Sequence, residues 1–240
     1  MKFYLYAWLF IPAILTAQTK AITLEDIWKD GTFRTARMDA LHSMANGKQY
    51  SVLNFNSEMK STSIDIYDYK TLKKDGTLVS STDLEAISYF TNYTFSKDEQ
   101  KVILATNEEA IFRRSALGNY YVYNIKNGSL DLISEDKIQE PTFSPNGKKV
   151  AFAKGNNLYV KDLNSSEITQ VTSNGKKNKI INGITDWVYE EEFSFVRAFD
   201  WNIDSNKIAF IRFDETNVPE FSMDVFGSDL YQTQQVFKYP

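Results

Sequence analysis

Self-similarity narrows the fold of this chain more than any other feature of it. The stretch Thr94-Phe-Ser-Lys-Asp-Glu-Gln-Lys-Val-Ile-Leu-Ala105 returns as Thr142-Phe-Ser-Pro-Asn-Gly-Lys-Lys-Val-Ala-Phe-Ala153, 48 positions further on. A weaker copy runs from Asp200 to Ile211 and a fainter one from Asn46 to Val52. Second apolar strands follow at Ile64 to Tyr69, Tyr120 to Ile125 and Asn157 to Leu163. Polar turns at Asn127-Gly128 and Asn164 to Ser166 then lead into Leu130 to Ser134 and Ile168 to Thr172. Each unit therefore reads as strand, turn, strand, turn, strand. A period near 50 residues with several short strands predicts β-propeller blades. One small sheet cannot hide both of its faces, whereas blades packed around an axis can. A sandwich with coincidental similarity is the competing reading. Four repeats or part-repeats fit between Ala21 and Pro240. The last, ending Val236-Phe-Lys-Tyr-Pro240, shows no return strand, so the sequence reads as part of a propeller cut from a longer product.

Composition agrees with an all-β fold and removes several function classes. Aromatic residues make up 15% of the 240, with 17 Phe and 14 Tyr, which suits strands. The formal net charge of −4 gives no clustered cationic surface, so nucleic acid is not an expected partner. With no cysteine, disulfides, Cys-ligated metals and thiol nucleophiles are excluded. The single histidine, His42, rules out zinc sites that need two. No Gly-x-Ser-x-Gly elbow occurs, so His42 reads as a structural or surface residue, and no cofactor is expected.

At the N-terminus, Lys2 precedes an apolar run from Phe3 to Ala17 that contains Pro12. A spanning helix needs about 20 apolar residues. The run is shorter and predicts a secretory signal at 1–17, cleaved after Ala17 despite a non-ideal Leu15 at the −3 position. The remainder, 18–240, would then be exported. An uncleaved membrane anchor is the alternative. Asn92, Asn127 and Asn164 head glycosylation sequons, which matter only in a eukaryote.

Two stretches break the repeat. Asn107 to Asn119 lengthens the link between two strands of one unit and carries Arg113 and Arg114 in tandem. A guanidinium presents a planar donor fork to a carbonyl or carboxylate; two solvated surface charges are the plainer reading. Asn182 to Ser194 carries a helix start, with Thr185 or Asp186 as N-cap, followed by Glu190, Glu191 and Glu192. Trp187, Tyr189 and Phe193 would anchor this turn and hold the carboxylates toward open space. Neighbouring carboxylates repel one another unless a cation sits between them, and a bound ammonium would serve. An acidic turn that only aids solubility is equally open on these residues alone.

Gly183-Ile-Thr-Asp-Trp-Val-Tyr-Glu-Glu-Glu-Phe193 closely resembles the double-glutamate motif of the dipeptidyl peptidase IV family in the prolyl oligopeptidase clan. Phe213 to Pro219 and Tyr239-Pro240 are similar to the stretches that follow it, and the resemblance runs from about Ile22 to the end. It implies an eight-bladed propeller, of which this chain is the N-terminal part, above an α/β-hydrolase domain that holds the serine, aspartate and histidine. The second and third glutamates of the motif, here Glu191 and Glu192, would bind the free N-terminal ammonium of a peptide. Arg113, or Arg114 if the loop alignment slips by one, would contact the carbonyl of the first peptide residue. The implied activity is removal of Xaa-Pro or Xaa-Ala dipeptides by a serine mechanism, to which this segment contributes gating and no catalytic group. The implied partners are the peptide, the C-terminal hydrolase domain and, since members often form homodimers, a second copy. Two alternatives stand beside this reading: a non-enzymatic binding or scaffold propeller, and a related endopeptidase with the same two glutamates.

Overall fold

Each clear copy of the repeated phrase folds into the same tight connection. The Ser96 N–H donates to Lys101 O and the Glu99 N–H to Ser96 O, while the Ser96 hydroxyl accepts from the Lys101 N–H at 3.0 Å. Ser144 makes the same set with Lys149 and Gly147. In the fourth copy Asn202 replaces the serine, and its side-chain oxygen accepts from the Lys207 N–H at 2.8 Å. Short side chains with an acceptor oxygen satisfy turn amides. That requirement is what repeats in the sequence.

The computed structural model describes residues 21–35 and 41–239, so the expected signal at 1–17 lies outside the described residues. The chain divides into two units at Met38. The first contains helix α1 (Leu24–Trp28), started by a capping box in which the Asp26 N–H donates to Thr23 Oγ1 at 3.2 Å and the Thr23 N–H to Asp26 Oδ2 at 3.0 Å. The sequence reading places no helix there, although Thr-x-x-Asp is a pattern that announces one.

In the second unit β1 (Leu41–Ser43), β2 (Gln49–Asn56), β3 (Ser61–Asp68) and β4 (Lys74–Ser80) form an antiparallel sheet in chain order. Two further sheets repeat this arrangement. One is β5 (Asn92–Phe95), β6 (Lys101–Ala110), β7 (Ala116–Asn124) and β8 (Leu130–Leu132); the other is β9 (Gln139–Phe143), β10 (Lys149–Lys154), β11 (Asn157–Asp162) and β12 (Ile168–Gln170). Each sheet thus has four strands where three were expected: in the second and third the Thr-Phe at the head of the phrase ends a strand of its own, and in the first the extra strand is Leu41–Ser43. β10 and β11 are joined by Gly155-Asn156, both at positive φ (55° and 61°), as a two-residue hairpin turn of the mirror-image type requires.

The sheets pack face to face. On β6, Val102 and Leu104 point into the core shared with the first sheet, while Ile103 and Ala105 point into the core shared with the third. On β10, Val150 and Phe152 face the second sheet, and Ala151 and Ala153 face the fourth repeat. Both faces of these strands are covered, so they read as continuous apolar runs rather than alternating ones. A polar link joins each turn to the next one along: Ala45 N–H to Glu99 Oε1 (2.7 Å), Lys101 Nζ to Gly147 O (3.0 Å) and Asn146 N–H to Ser205 Oγ (3.1 Å). The result is a partial β-propeller of three four-stranded blades and a divided fourth.

The fourth blade is divided around an inserted helix. β13 (Ile180–Asn182) is followed by helix α2 (Trp187–Phe193), then by β14 (Phe199–Trp201), β15 (Ile208–Phe210) and β16 (Arg212–Asp214). β15 pairs with β14, whereas β16 pairs with β13, so the strand changes partner at Ile211 around the inserted helix. β17 (Glu220–Val225) and β18 (Thr233–Lys238) make a hairpin. This corrects one expectation: Val236 to Lys238 is itself part of a return strand. The first interruption is also shorter than expected. β6 and β7 extend through 107–110 and 116–119, with an irregular register near Thr106, and leave a five-residue loop, 111–115.

Candidate functional site

The loop after β6 and the helix before β14 meet. Asp186, not Thr185, is the N-cap of α2 and accepts from the Tyr189 N–H at 2.8 Å, while Ser194 closes the helix in the left-handed region at φ 60°. Thr185 Oγ1 instead donates to Phe195 O at 3.2 Å. Tyr189 packs edge-on against Phe213, 4.8 Å between centroids, and seats the helix on β16.

Successive helical residues are rotated by roughly 100°, so three consecutive glutamates must face three directions. Glu190 turns inward and is 1% exposed. Its Oε1 accepts two backbone N–H groups of the β6–β7 loop, Arg114 at 2.5 Å and Ser115 at 2.9 Å. Glu191 turns sideways, and its Oε2 lies 3.2 Å from Arg113 Nε, in a pair whose side chains are 15% and 71% exposed respectively. Glu192 faces solvent, and among the described residues its carboxylate has no partner. Arg114 goes elsewhere: Nη2 donates to Ser194 Oγ at 3.1 Å, placing its charge by the C-terminus of α2, where the helix dipole favours a cation.

The structure therefore brings Arg113 and Glu191 together, turns Glu192, the next residue of α2, to solvent, and directs Arg114 to the helix end. It departs from the sequence reading at two residues. Glu190 is buried rather than held toward open space, and Phe193, expected as an anchor, is 64% exposed. Counting from an Asp186 cap, Trp187 and Glu190 fall on one face at the i, i+3 spacing, but the sequence left Thr185 and Asp186 both open as caps. His42 lies exposed on β1, its ring 5.0 Å from that of Phe95 and remote in sequence from either insertion. Among the described residues no group of three His, Asp or Glu could hold a metal ion.

Residues 96–240 match the model of the dipeptidyl peptidase IV N-terminal region. The chain belongs to the dipeptidyl peptidase IV family. It is 37% identical over 161 residues to a probable dipeptidyl-aminopeptidase B of Chaetomium globosum, covering 60% of this chain and 17% of that protein. It is 30% identical over 224 residues to human prolyl endopeptidase FAP, covering 92% of this chain and 28% of that protein. The crystal structure of Porphyromonas gingivalis dipeptidyl peptidase 4 superposes with a TM-score of 0.82 at 34% identity, over 92% of this chain and 32% of that one. The chain thus spans less than a third of the length of these relatives.

Ionisable groups line both flanks of this candidate site in the dipeptidyl peptidase IV propeller. Beside Arg114, a polar hollow contains Glu108, Tyr120, Glu140 and Arg197. Burial pushes the Glu140 carboxyl above the usual range; Arg197 opposes the shift, and Glu190 and Glu108 add to it. Burial also raises the Tyr120 phenol, helped by Glu108, to which its hydroxyl donates at 3.2 Å. A native carboxyl raised in this way binds its proton more tightly than in the unfolded chain. Its contribution to stability is full below the unfolded value and is lost as pH rises through the folded one. Glu140→Gln is therefore expected to raise the thermal midpoint at pH 7, with the gain shrinking toward pH 4; equal midpoints at pH 7 would contradict this. On the other flank a cavity of ≈ 620 Å³ is bordered by Phe112, Ser115, Trp187 and Glu215. Burial raises the Glu215 carboxyl, Asp186 adds to the shift, and Lys238 opposes it.

Proposed function

We propose that this chain is the substrate-gating propeller segment of an exported, serine-type dipeptidyl aminopeptidase that removes Xaa-Pro or Xaa-Ala dipeptides from peptide N-termini. Glu191 and Glu192 bind the terminal ammonium, and Arg113 binds the first carbonyl. A C-terminal α/β-hydrolase domain supplies the nucleophile, and the product is led out of the cytoplasm by residues 1–17. One observation carries this reading. Two interruptions of the blade pattern, far apart in sequence, set Arg113 against Glu191, and Glu192 follows on the same helix with its carboxylate exposed. Arg113 engages Glu191 through Nε, and among the described residues its terminal nitrogens have no partner. That leaves donors for a carbonyl oxygen, while Glu192 and the other oxygen of Glu191 remain as acceptors for an ammonium group.

The reading explains why the site measures length. An ammonium held by carboxylates fixes the start of the peptide, and the second peptide bond then falls at a constant distance from it. Two of the relatives above are named dipeptidyl-aminopeptidase and dipeptidyl peptidase, which supports this reading, while a third is named an endopeptidase. The experiment is cleavage of a free-amine Xaa-Pro substrate by the full-length protein and by its Glu191→Ala and Glu192→Ala variants. Loss of cleavage with folding preserved supports the assignment; unchanged cleavage in both variants rejects it.

A further inference from the structure

We propose that Glu190 is a positioning residue: it holds the arginine-bearing loop against the glutamate-bearing helix, and so sets Arg113 relative to Glu191 without touching substrate. The proposal rests on the roles given to Arg113 and Glu191 above. Glu190 is sealed from solvent, so an ammonium group cannot reach it. Its Oε1 instead receives the N–H groups of Arg114 and Ser115, which are 76 and 75 positions away in the chain. A buried carboxylate is tolerated only where donors satisfy it. Two adjacent main-chain N–H groups directed at one oxygen form a small anion-binding nest.

The loop needs such an external hold. It spans five residues and is closed on itself only by the Ile111 N–H to Ser115 O bond at 2.8 Å. Its other links to α2 are the exposed Arg114–Ser194 hydrogen bond and the Arg113–Glu191 pair, both made by long and flexible arginine side chains. Arg113 is mostly exposed, so neighbouring packing does little to fix its side chain. Its backbone, directly before the two clamped N–H groups, is what locates it. Because both donors belong to the backbone, the clamp does not depend on which side chains occupy 114 and 115. It depends on Glu190.

The test uses the full-length protein, a free-amine Xaa-Pro substrate and amide hydrogen exchange. Glu190→Ala should lower kcat/KM by roughly 100-fold, the cost of misplacing a positioned group. The amides of Arg114 and Ser115 should exchange quickly while β6 and β7 stay protected. Glu190→Gln keeps an acceptor oxygen and should recover activity to within about tenfold of the parent, since it loses only the charge assistance. In an Arg113→Ala background, Glu190→Ala should cost little more, because residues that act through one another are not additive. Additive losses in that cycle, or unchanged exchange at 114 and 115, would overturn the proposal. If Glu190→Ala fails to fold, Glu190→Met, which keeps the bulk of the side chain and removes the acceptor oxygen, carries both the cycle and the exchange measurement. If Arg113→Ala and Glu192→Ala both leave cleavage unchanged, the functional reading above is what fails, and exchange at 114 and 115 then decides the clamp by itself.

Discussion

Replacing Glu191 by alanine is expected to reduce kcat/KM toward free-amine Xaa-Pro substrates by about 30-fold to several thousand-fold, the equivalent of about 2–5 kcal/mol for removing one partner of a desolvated charge pair. Two features of the structure make this an activity effect rather than a folding effect. Glu191 lies on one side of a short helix whose seat comes from Tyr189 and Phe213 and whose link to the second blade comes from Glu190. Alanine is also the best helix former, so α2 keeps its cap, its packing and its clamp. What is lost is the counter-charge of Arg113, together with half of the proposed ammonium site. The free-state pair itself is weak because Arg113 is mostly exposed to water and salt, and exposed pairs contribute about 0.2–1 kcal/mol, so substrate can displace or share it at small cost. The sharpest control changes the substrate instead of the protein. An N-acetylated peptide has no charge for Glu191 to hold, so parent and Glu191→Ala should cleave it equally poorly. A variant that loses as much on the acetylated peptide as on the free one would show that Glu191 serves the fold and not the amine.

Much of this architecture was legible in the sequence because its cause is local. The Thr-Phe-Ser phrase recurs because each copy must satisfy the same turn amides, and a side chain at Ser96, Ser144 or Asn202 does so within five residues. The continuous apolar run of β10 follows from a strand buried on both faces. The candidate site stood out for a different reason. Arg113 and the three glutamates stand where the repeat is broken, and an insertion that packing does not demand points to function. Two things stayed hidden. The partner exchange at Ile211 is a tertiary event, set by where α2 needs room, and no local pattern encodes it. The division of labour among Glu190, Glu191 and Glu192 depends on helix phase, which three identical residues cannot reveal. Only the position of the N-cap sets that phase, and Thr185 and Asp186 were both acceptable caps.

The second large effect concerns how α2 is delivered to the loop. Gly183 sits at φ 77°, in the left-handed region, and a Cβ built on it would lie 2.5 Å from Leu158 Cδ2. Leu158 is fully buried in the core between the third and fourth blades, so it has nowhere to move. Gly183→Ala is expected to cost about 2–5 kcal/mol, from about 1–2 kcal/mol of backbone strain and about 1–3 kcal/mol of overpacking. The two contributions can be separated. Gly155 is also at positive φ, 55°, but no atom lies within 4 Å of the point where a Cβ would stand, so Gly155→Ala should show the strain alone, about 1 kcal/mol. A thermal midpoint for Gly183→Ala no lower than that for Gly155→Ala would mean that Leu158 yields after all. The consequence for function follows from what Gly183 holds. Its N–H donates to Ile211 O at 3.0 Å and its carbonyl accepts from the Ala198 N–H at 2.9 Å, on either side of the point where the fourth blade changes partner. Asp186, the cap of α2, follows three residues later. A shift at Gly183 therefore moves the helix as a body, carrying Glu190 away from the loop and Glu191 away from Arg113. Activity in Gly183→Ala should fall even at temperatures where the protein remains folded, and the amides of Arg114 and Ser115 should lose protection together with it.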